Sequence, residues 1–348
     1  MNYREILDSK RENAAHAAVR AALTPVSWIY SGAAAIRNFT FDLRLRKIEA
    51  LQRPAVSVGN LTVGGTGKTP CVLWILQFSQ ECGWRAGLLT RGYGGDGAAN
   101  DEIDLIKNYF PAVPIAAGGD RAAGAAKLLA TNSNVQFFLL DDGFQHRRAA
   151  RDLDIVLIDA TNPFGYGYCL PRGLLRESVR GLRRAHGVIV TRADQADLNR
   201  LELLWKELEN FGYAGPRIEA AHAPKLLKPI GGRNQPRELN SLRGKSVHLL
   251  SAVGNPASLE TTVTALGARV AEHIQFPDHH RYLPADLPDL RACETERGEE
   301  IWITTEKDAV KLKKLGVVDG YALSVKFTIT RGERELKEML NRVILESR

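Results

Sequence analysis

Residues 56–70 read VSVGNLTVGGTGKTP, and their types and spacing point to phosphate chemistry. A short apolar run, Ala55 to Val58, leads into Gly64-Gly65-Thr66-Gly67, with Lys68 and Thr69 following at once. Glycine lets successive backbone N–H groups turn toward one point, and the start of a helix adds partial positive charge there. In that setting Lys68 would reach the outer phosphates of a nucleotide, and the Thr69 hydroxyl would ligate Mg2+. The commonest form of such a loop has glycine five residues before Gly67. Here that position is Thr62, followed by Val63, so the loop is a G-G-x-G-K-T variant. The plainer reading is a glycine turn with a chance lysine. The order strand, glycine loop, helix ranks it second.

Acidic residues supply the other half of such chemistry. An apolar strand ending in aspartate, downstream of a phosphate loop, is the expected partner of Mg2+. Asp141-Asp142 follows the apolar run VQFFLL and fits. One carboxylate would hold the metal and the other would support it. An aspartate capping an Asp-Gly turn is the competing reading. Glu177, with Arg172 and Arg176 beside it, would complete the surround or simply open an exposed helix. Asp101-Glu102 reads by default as a solvated acidic turn. His279 and His280, in FPDHHRY, are either a surface pair or a source of the base that transfer to an alcohol needs. Thr305 with Asp308 has close to capping-box spacing, which is preferred to a phosphate contact through Lys307.

The elements that must position these residues alternate from residue 54 onward. Strands are expected over 54–58, 86–90, 135–140, 154–158, 187–191 and 217–221, with helices near 68–82, 119–131 and 197–211. Near-continuous apolar strands separated by helices argue for a buried, mostly parallel sheet with helices on both faces. Ligands gather at the carboxyl ends of such strands. There the sequence places Arg91, Asp141-Asp142, Asp159 and Arg192-Ala193-Asp194. The expected fold class is α/β: a P-loop NTPase-like sheet, a second smaller α/β domain, and an N-terminal helical segment. The expected bounds are 1–50, 51–222 and 223–348, with the basic, proline-bearing stretch 223–245 as the junction. The second domain is read as strands 246–250, 269–276, 300–304 and 320–325 with helices 256–266, 284–298, 305–314 and 332–346.

Composition bounds the partners. The 348 residues are 44% hydrophobic and 25% charged, with a net charge of +7. That excess suits nucleic acid, an anionic membrane or a phosphorylated substrate. Nucleic acid is set low, because no basic-aromatic interleaving or known module accompanies the charge. The four cysteines are scattered and read as reduced thiols. No secretory signal and no run of 18 uncharged apolar residues is present. Leu23 to Ala35, with Trp28 and Tyr30 and followed by Arg37, Arg44, Arg46 and Lys47, reads equally as an interfacial membrane helix or as a helix packed on the main domain.

Taken together the segments resemble the tetraacyldisaccharide 4'-kinase family. The matching stretches are residues 56–70, LTRGYGG (89–95), Asp101-Glu102, Asp120-Arg121, LDDGFQHRR (140–148), RDLDIVLID (151–159), LPRGLLRE (170–177), FPDHH (276–280) and TTEKDAVKL (304–312). Proline commonly follows the Asp-Glu pair in the family, and Ile103 stands here. The resemblance implies transfer of phosphate from ATP, with Mg2+, to the 4'-hydroxyl of a tetraacylated disaccharide 1-phosphate. It places the protein at the cytoplasmic face of the bacterial inner membrane as a peripheral or monotopic protein, with the N-terminal helix touching the anionic membrane surface.

By the same resemblance Thr62, Val63, Gly64, Gly65, Thr66, Gly67, Lys68 and Thr69 would bind ATP. Asp101 would be the base toward the sugar hydroxyl, tuned by His279. Thr69, Asp141, Asp142 and Glu177 would surround the metal, and Arg91, Glu102, Arg121, His146 and Arg176 would lie in the same site. A monomer is expected, with the second domain closing a cleft. The alternative from another class is a nucleotide-hydrolysing switch or metallochaperone-like protein without a lipid acceptor. Hydrolysis by the pure protein that lipid does not stimulate would favour it.

Overall fold

The computed structural model describes residues 3–8, 14–92, 100–231, 235–278, 280–286, 301–317 and 319–346. Three expectations lie outside these residues: His279, the Tyr93-Gly94-Gly95 part of one motif, and residues 287–298 of an expected helix. The chain divides into two compact units. The first comprises Met1–Arg91, Val113–Ala221 and Ile329–Arg348, and the second Gly92–Ala112 and His222–Thr328.

In chain order the elements up to the middle of the sequence are α1 (Tyr3–Leu7), α2 (Ala14–Asp42), β1 (Ala55–Asn60), α3 (Lys68–Glu81), β2 (Ala86–Thr90), α4 (Asn100–Tyr109), β3 (Ile115–Ala117), α5 (Arg121–Thr131), β4 (Phe137–Asp141) and β5 (Leu153–Asp159). Then come β6 (Gly187–Thr191), α6 (Leu198–Asn210) and β7 (Arg217–Pro229). In the first unit the strands run in the order β3-β2-β4-β1-β5-β6-β7, and their pairings are parallel. Every residue of β1, β2, β4, β5 and β6 is buried, which is why these strands read as unbroken apolar runs. Register brings the strand ends level: Val58 pairs with Asp141, and Asp159 with Thr191. The charged loops therefore leave the sheet along one edge.

Packing explains two motifs. A Cβ on Gly59 would lie 2.5 Å from Phe144 Cβ, and one on Gly143 would lie 2.6 Å from Ser57 Oγ. The Asp-Asp-Gly-Phe segment thus presses against β1 at a distance that leaves room only for glycine. Helix α6 buries Leu201, Leu204, Trp205 and Leu208, one stripe at helical spacing, and Asp197 caps its first turn.

The N-terminal helix α2 is fixed at points along its length. Ser27 Oγ donates to the Cys169 carbonyl at 2.7 Å, and Asn38 Nδ2 to Glu177 Oε2 at 2.7 Å. Arg147 donates to the Asn38 carbonyl and to Asp42. Its other face leaves Trp28, Ile29, Ile36 and Phe39 exposed. Among the described residues no helix is long and apolar enough to cross a membrane.

The remaining elements are β8 (Ser246–Ser251), α7 (Pro256–Ala265), β9 (Arg269–Gln275), β10 (Ile301–Thr305), α8 (Glu306–Lys314), β11 (Tyr321–Arg331) and α9 (Glu333–Glu346). In the second unit the order is β7-β11-β10-β8-β9, and β10 pairs in parallel with both β8 and β11. Its core joins Leu227, Val247, Leu249, Val263, Ile303 and Leu323. Thr305 caps α8, accepting from the Asp308 amide at 3.1 Å, as the spacing predicts.

Three expectations need correction. The 223–245 stretch is not simply a junction, because β7 continues through it to Pro229 and Leu227 bonds both ways with Arg237. The closing helix α9 belongs to the first unit, where it packs on β1 and β5 and buries Leu336, Leu340 and Ile344. Asp101-Glu102 do not form a solvated turn but begin helix α4. That helix belongs to the second unit and is tied to α8 by side-chain contacts. Glu102 pairs with Lys307 at 3.0 Å, Asp104 with Lys314 at 2.6 Å, and Tyr109 donates to Glu306. Burial pulls the Lys307 pKa down, but Glu102, Asp278 and Asp308 outweigh it and the net shift is upward.

Candidate active site

The glycine loop joins β1 to α3 and takes its shape from two residues in the left-handed region, Gly64 at φ 116° and Gly67 at φ 91°. Gly67 caps α3 without any side-chain hydrogen bond, so the first turn of this 14-residue helix presents its amides openly. Thr62 forms a bridge with Leu175, and the Val63 amide donates to the Leu174 carbonyl at 2.7 Å. The threonine in place of the commoner glycine is thus where the loop is stitched to the LPRGLLRE segment. Thr66 is buried, and its hydroxyl accepts from Asn60 Nδ2 at 2.9 Å.

Lys68 opens α3, and its ammonium lies 3.6 Å from Asp142 Oδ1. Asp142 has φ 53°, a left-handed conformation that aspartate tolerates better than most residues. Arg176 Nη1 bonds both its carboxylate oxygens, at 2.8 and 2.7 Å. Asp141, the last residue of β4, is 3% exposed. Its field adds to burial in pushing the Cys71 thiol on α3 far up, so that cysteine stays protonated.

Thr69 follows Lys68 in the first turn of α3, and Asp142, next to Asp141 at the end of β4, lies against that lysine; all three offer hard oxygen donors. No cluster of three His, Cys, Asp or Glu that could hold a metal occurs among the described residues. This donor set suits Mg2+, which takes one or two carboxylates and fills its octahedron with water and substrate phosphate.

Glu177 departs from expectation. It is 1% exposed rather than at an exposed helix start. Oε2 accepts from Asn38 and from Arg184, and Oε1 from Gln145 Nε2 at 3.0 Å. Its oxygens are committed to three donors, so the expected grouping of Asp141, Asp142 and Glu177 around one ion does not form. It links α2 to the loop that carries Arg176.

Arg121 begins α5, is buried, and donates to the main-chain oxygens of Gly118 and Asp141. His146 is half-buried. Desolvation, then the charges of Arg121 and Arg151, hold its pKa below the usual 6.5 against the opposing pull of Asp120. Above pH 6.5 His146 is neutral folded and unfolded. As pH falls below 6.5 the unfolded chain takes up a proton that the folded site resists, so stability is lost. The thermal midpoint should therefore fall less between pH 7.5 and pH 5.5 in His146→Gln than in the wild type. Parallel falls would show that His146 does not carry this coupling.

Arg91 follows β2 and is exposed. Asp101 and Glu102 lie on α4 in the second unit. His280 bonds Asp286 at 3.1 Å and stacks on Phe276.

The site also contains residues to which the sequence assigned no particular role. Thr191 Oγ1 donates to the Thr66 carbonyl at 2.9 Å, and Arg192 Nη2 to the Gly65 carbonyl at 2.8 Å. Arg192 also pairs with Asp159, whose other oxygen accepts from the Thr161 amide and hydroxyl. Gln145 Nε2 donates to the Asn60 carbonyl at 2.8 Å. The signal available was position: Asn60, Asp159 and Thr191 end strands, where polar residues on apolar runs have a task.

A glycine loop between the first strand and first helix of a parallel sheet, with its lysine against an aspartate at the next strand's end, defines a P-loop nucleotide-binding α/β protein. The family model described as tetraacyldisaccharide-1-P 4'-kinase matches residues 19–345. Among curated relatives, the tetraacyldisaccharide 4'-kinase of Anaeromyxobacter sp. strain Fw109-5 is 38% identical over 347 residues, covering 93% of this chain and 92% of that one. The protein of the same name from Syntrophus aciditrophicus is 35% identical, with 82% of each covered. The crystal structure of LpxK from Aquifex aeolicus in complex with ATP superposes with a TM-score of 0.71 at 29% identity, covering 94% of this chain and 99% of that one. The chain belongs to the tetraacyldisaccharide 4'-kinase family, and is accordingly a phosphotransferase.

Proposed function

We propose that this protein transfers the γ-phosphate of ATP to the 4'-hydroxyl of a tetraacyldisaccharide 1-phosphate at the cytoplasmic face of the bacterial inner membrane. The observation that carries the reading is Lys68 at the uncapped start of α3, 3.6 Å from an Asp142 that Arg176 holds in place. The loop amides and Lys68 hold the phosphates and offset charge as the phosphoryl group moves. Thr69, Asp141 and Asp142 are the residues that would hold Mg2+, which supplies further charge neutralisation at the transferring group. Asp101, by family resemblance, takes the acceptor proton, and His279 tunes it. Arg121, His146 and Arg176 shape the surround, and Glu177 supports it from behind. The reading is tested with radiolabelled ATP and the disaccharide 1-phosphate in detergent micelles. Failure to label the lipid with any divalent metal removes it.

The exposed apolar residues of α2, followed by Arg37, Arg44, Arg46 and Lys47, support docking of this helix on an anionic membrane. Trp28 and Ile29 are among its most exposed apolar side chains, at 67% and 74%. The double substitution Trp28→Glu, Ile29→Glu should abolish sedimentation with anionic vesicles. It should also raise the KM for vesicle-borne acceptor by about tenfold or more. Unchanged vesicle binding would remove α2 from this role.

A further inference from the structure

The glycine loop is held from behind by two consecutive residues at the end of β6. Thr191 is fully buried and Arg192 is 7% exposed. Their donors reach two consecutive carbonyls of the loop, those of Thr66 and Gly65. We propose that Thr191 and Arg192 are positioning residues for phosphoryl transfer, Thr191 keeping the Gly67 amide aimed at the nucleotide phosphates and Arg192 fixing the tight turn that precedes it. The proposal rests on the kinase reading above and deepens it.

A trans peptide is planar, with its N–H opposite its C=O. With the Thr66 carbonyl tied to Thr191, the Gly67 amide across the same peptide is turned the other way, away from β6. Likewise the Gly65 carbonyl held by Arg192 sets the Thr66 amide, which closes a tight turn onto the Gly64 carbonyl at 3.0 Å. Glycines at φ 116° and 91° let the loop adopt this path but do not select it, because glycine accepts many others. Selection needs contacts from outside the loop. Leu174 and Leu175 hold its start at Thr62 and Val63, and the glycine segment itself is held by Thr191, Arg192 and, through the Thr66 hydroxyl, Asn60.

Arg192 bears a cost for this. Its φ of 53° is left-handed, sparsely populated by an arginine. The guanidinium spans two acceptors, Asp159 at the end of β5 and the Gly65 carbonyl. The Asp159 carboxylate is anchored in turn by Thr161. The loop is thus referenced to the ends of β5 and β6, two strands with every residue buried. A lysine, with one ammonium in place of a planar fork, cannot reproduce that span.

The test compares Thr191→Val, Thr191→Ser and Arg192→Lys with the wild type. ATP affinity is measured by equilibrium dialysis in the absence of lipid, alongside kcat, both KM values and the thermal midpoint. Misaiming one amide that is hydrogen-bonded to a charged phosphate corresponds to about tenfold or more in affinity. Thr191→Val and Arg192→Lys should each weaken ATP binding by about that factor, with the KM for the lipid acceptor unchanged. Thr191→Ser, which keeps the hydroxyl, should return ATP affinity to within about threefold of wild type. The proposal is overturned if both variants bind ATP as the wild type does, with only the thermal midpoint lowered, or if valine and serine behave alike. Should the wild type bind ATP yet fail to label the lipid, the kinase reading falls, while the dialysis series still decides the role of Thr191 and Arg192.

Discussion

Replacing Lys68 with alanine is expected to lower kcat/KM for ATP by roughly a hundred- to a thousandfold, the scale seen when one preorganised charge at a transferring group is lost. Two effects combine. The phosphates lose a cation at the open start of α3, and Asp142, 3.6 Å away, loses part of the positive field that balances it. Asp142 keeps Arg176, at 2.7 Å, so the fold around it should stand and the thermal midpoint should change little. Asp101→Ala should differ in kind, abolishing most transfer while ATP binding stays nearly intact. ATP affinity measured without acceptor separates the two. Equal loss of ATP affinity in both variants would remove Asp101 from the role of base. Retention of wild-type affinity in Lys68→Ala would remove Lys68 from the phosphate site.

How far this site was legible in the chain depends on where each residue's partners lie. The glycine loop, the buried strands and the Asp141-Asp142 pair are local patterns: their spacing reports their geometry, and β2 and β6 fall at the expected residues. Helix α4 was not legible, and its physical reason is specific. It buries Leu105 and Ile106 but is otherwise largely polar, and its attachment comes from Lys307, Lys314 and Glu306 some 200 residues away. No local window contains that information. The strand expected over 217–221 opens β7, but its continuation to Pro229 was hidden by composition, since Pro224, Lys225, Lys228 and Pro229 read as a linker although the strand runs through them. Thr191 and Arg192 were visible only as a polar strand end, because their partners are backbone carbonyls that carry no sequence signature.

Glu177 is where the two levels of reading part most sharply, and its substitution should decide between them. As a metal ligand it would set the Mg2+ requirement. Its geometry assigns it instead to Asn38, Gln145 and Arg184. Glu177→Ala leaves three donors without their acceptor, including the Arg184 guanidinium that lies over the Phe144 ring. Breaking one side of a buried ion pair costs about 3–5 kcal/mol. That corresponds to a fall in thermal midpoint on the order of 10 °C. Glu177→Gln keeps the shape and an acceptor but not the charge, so it should lose less stability and retain activity at permissive temperature. The decisive reading is Mg2+ half-saturation, which should be unchanged in Glu177→Gln and clearly raised in Asp142→Asn, because only the latter alters an oxygen donor beside Lys68 and Thr69. A raised Mg2+ requirement in Glu177→Gln with an unshifted thermal midpoint would return Glu177 to the metal, and would mean that α2 is held to the site by Ser27 and Arg147 rather than through this carboxylate.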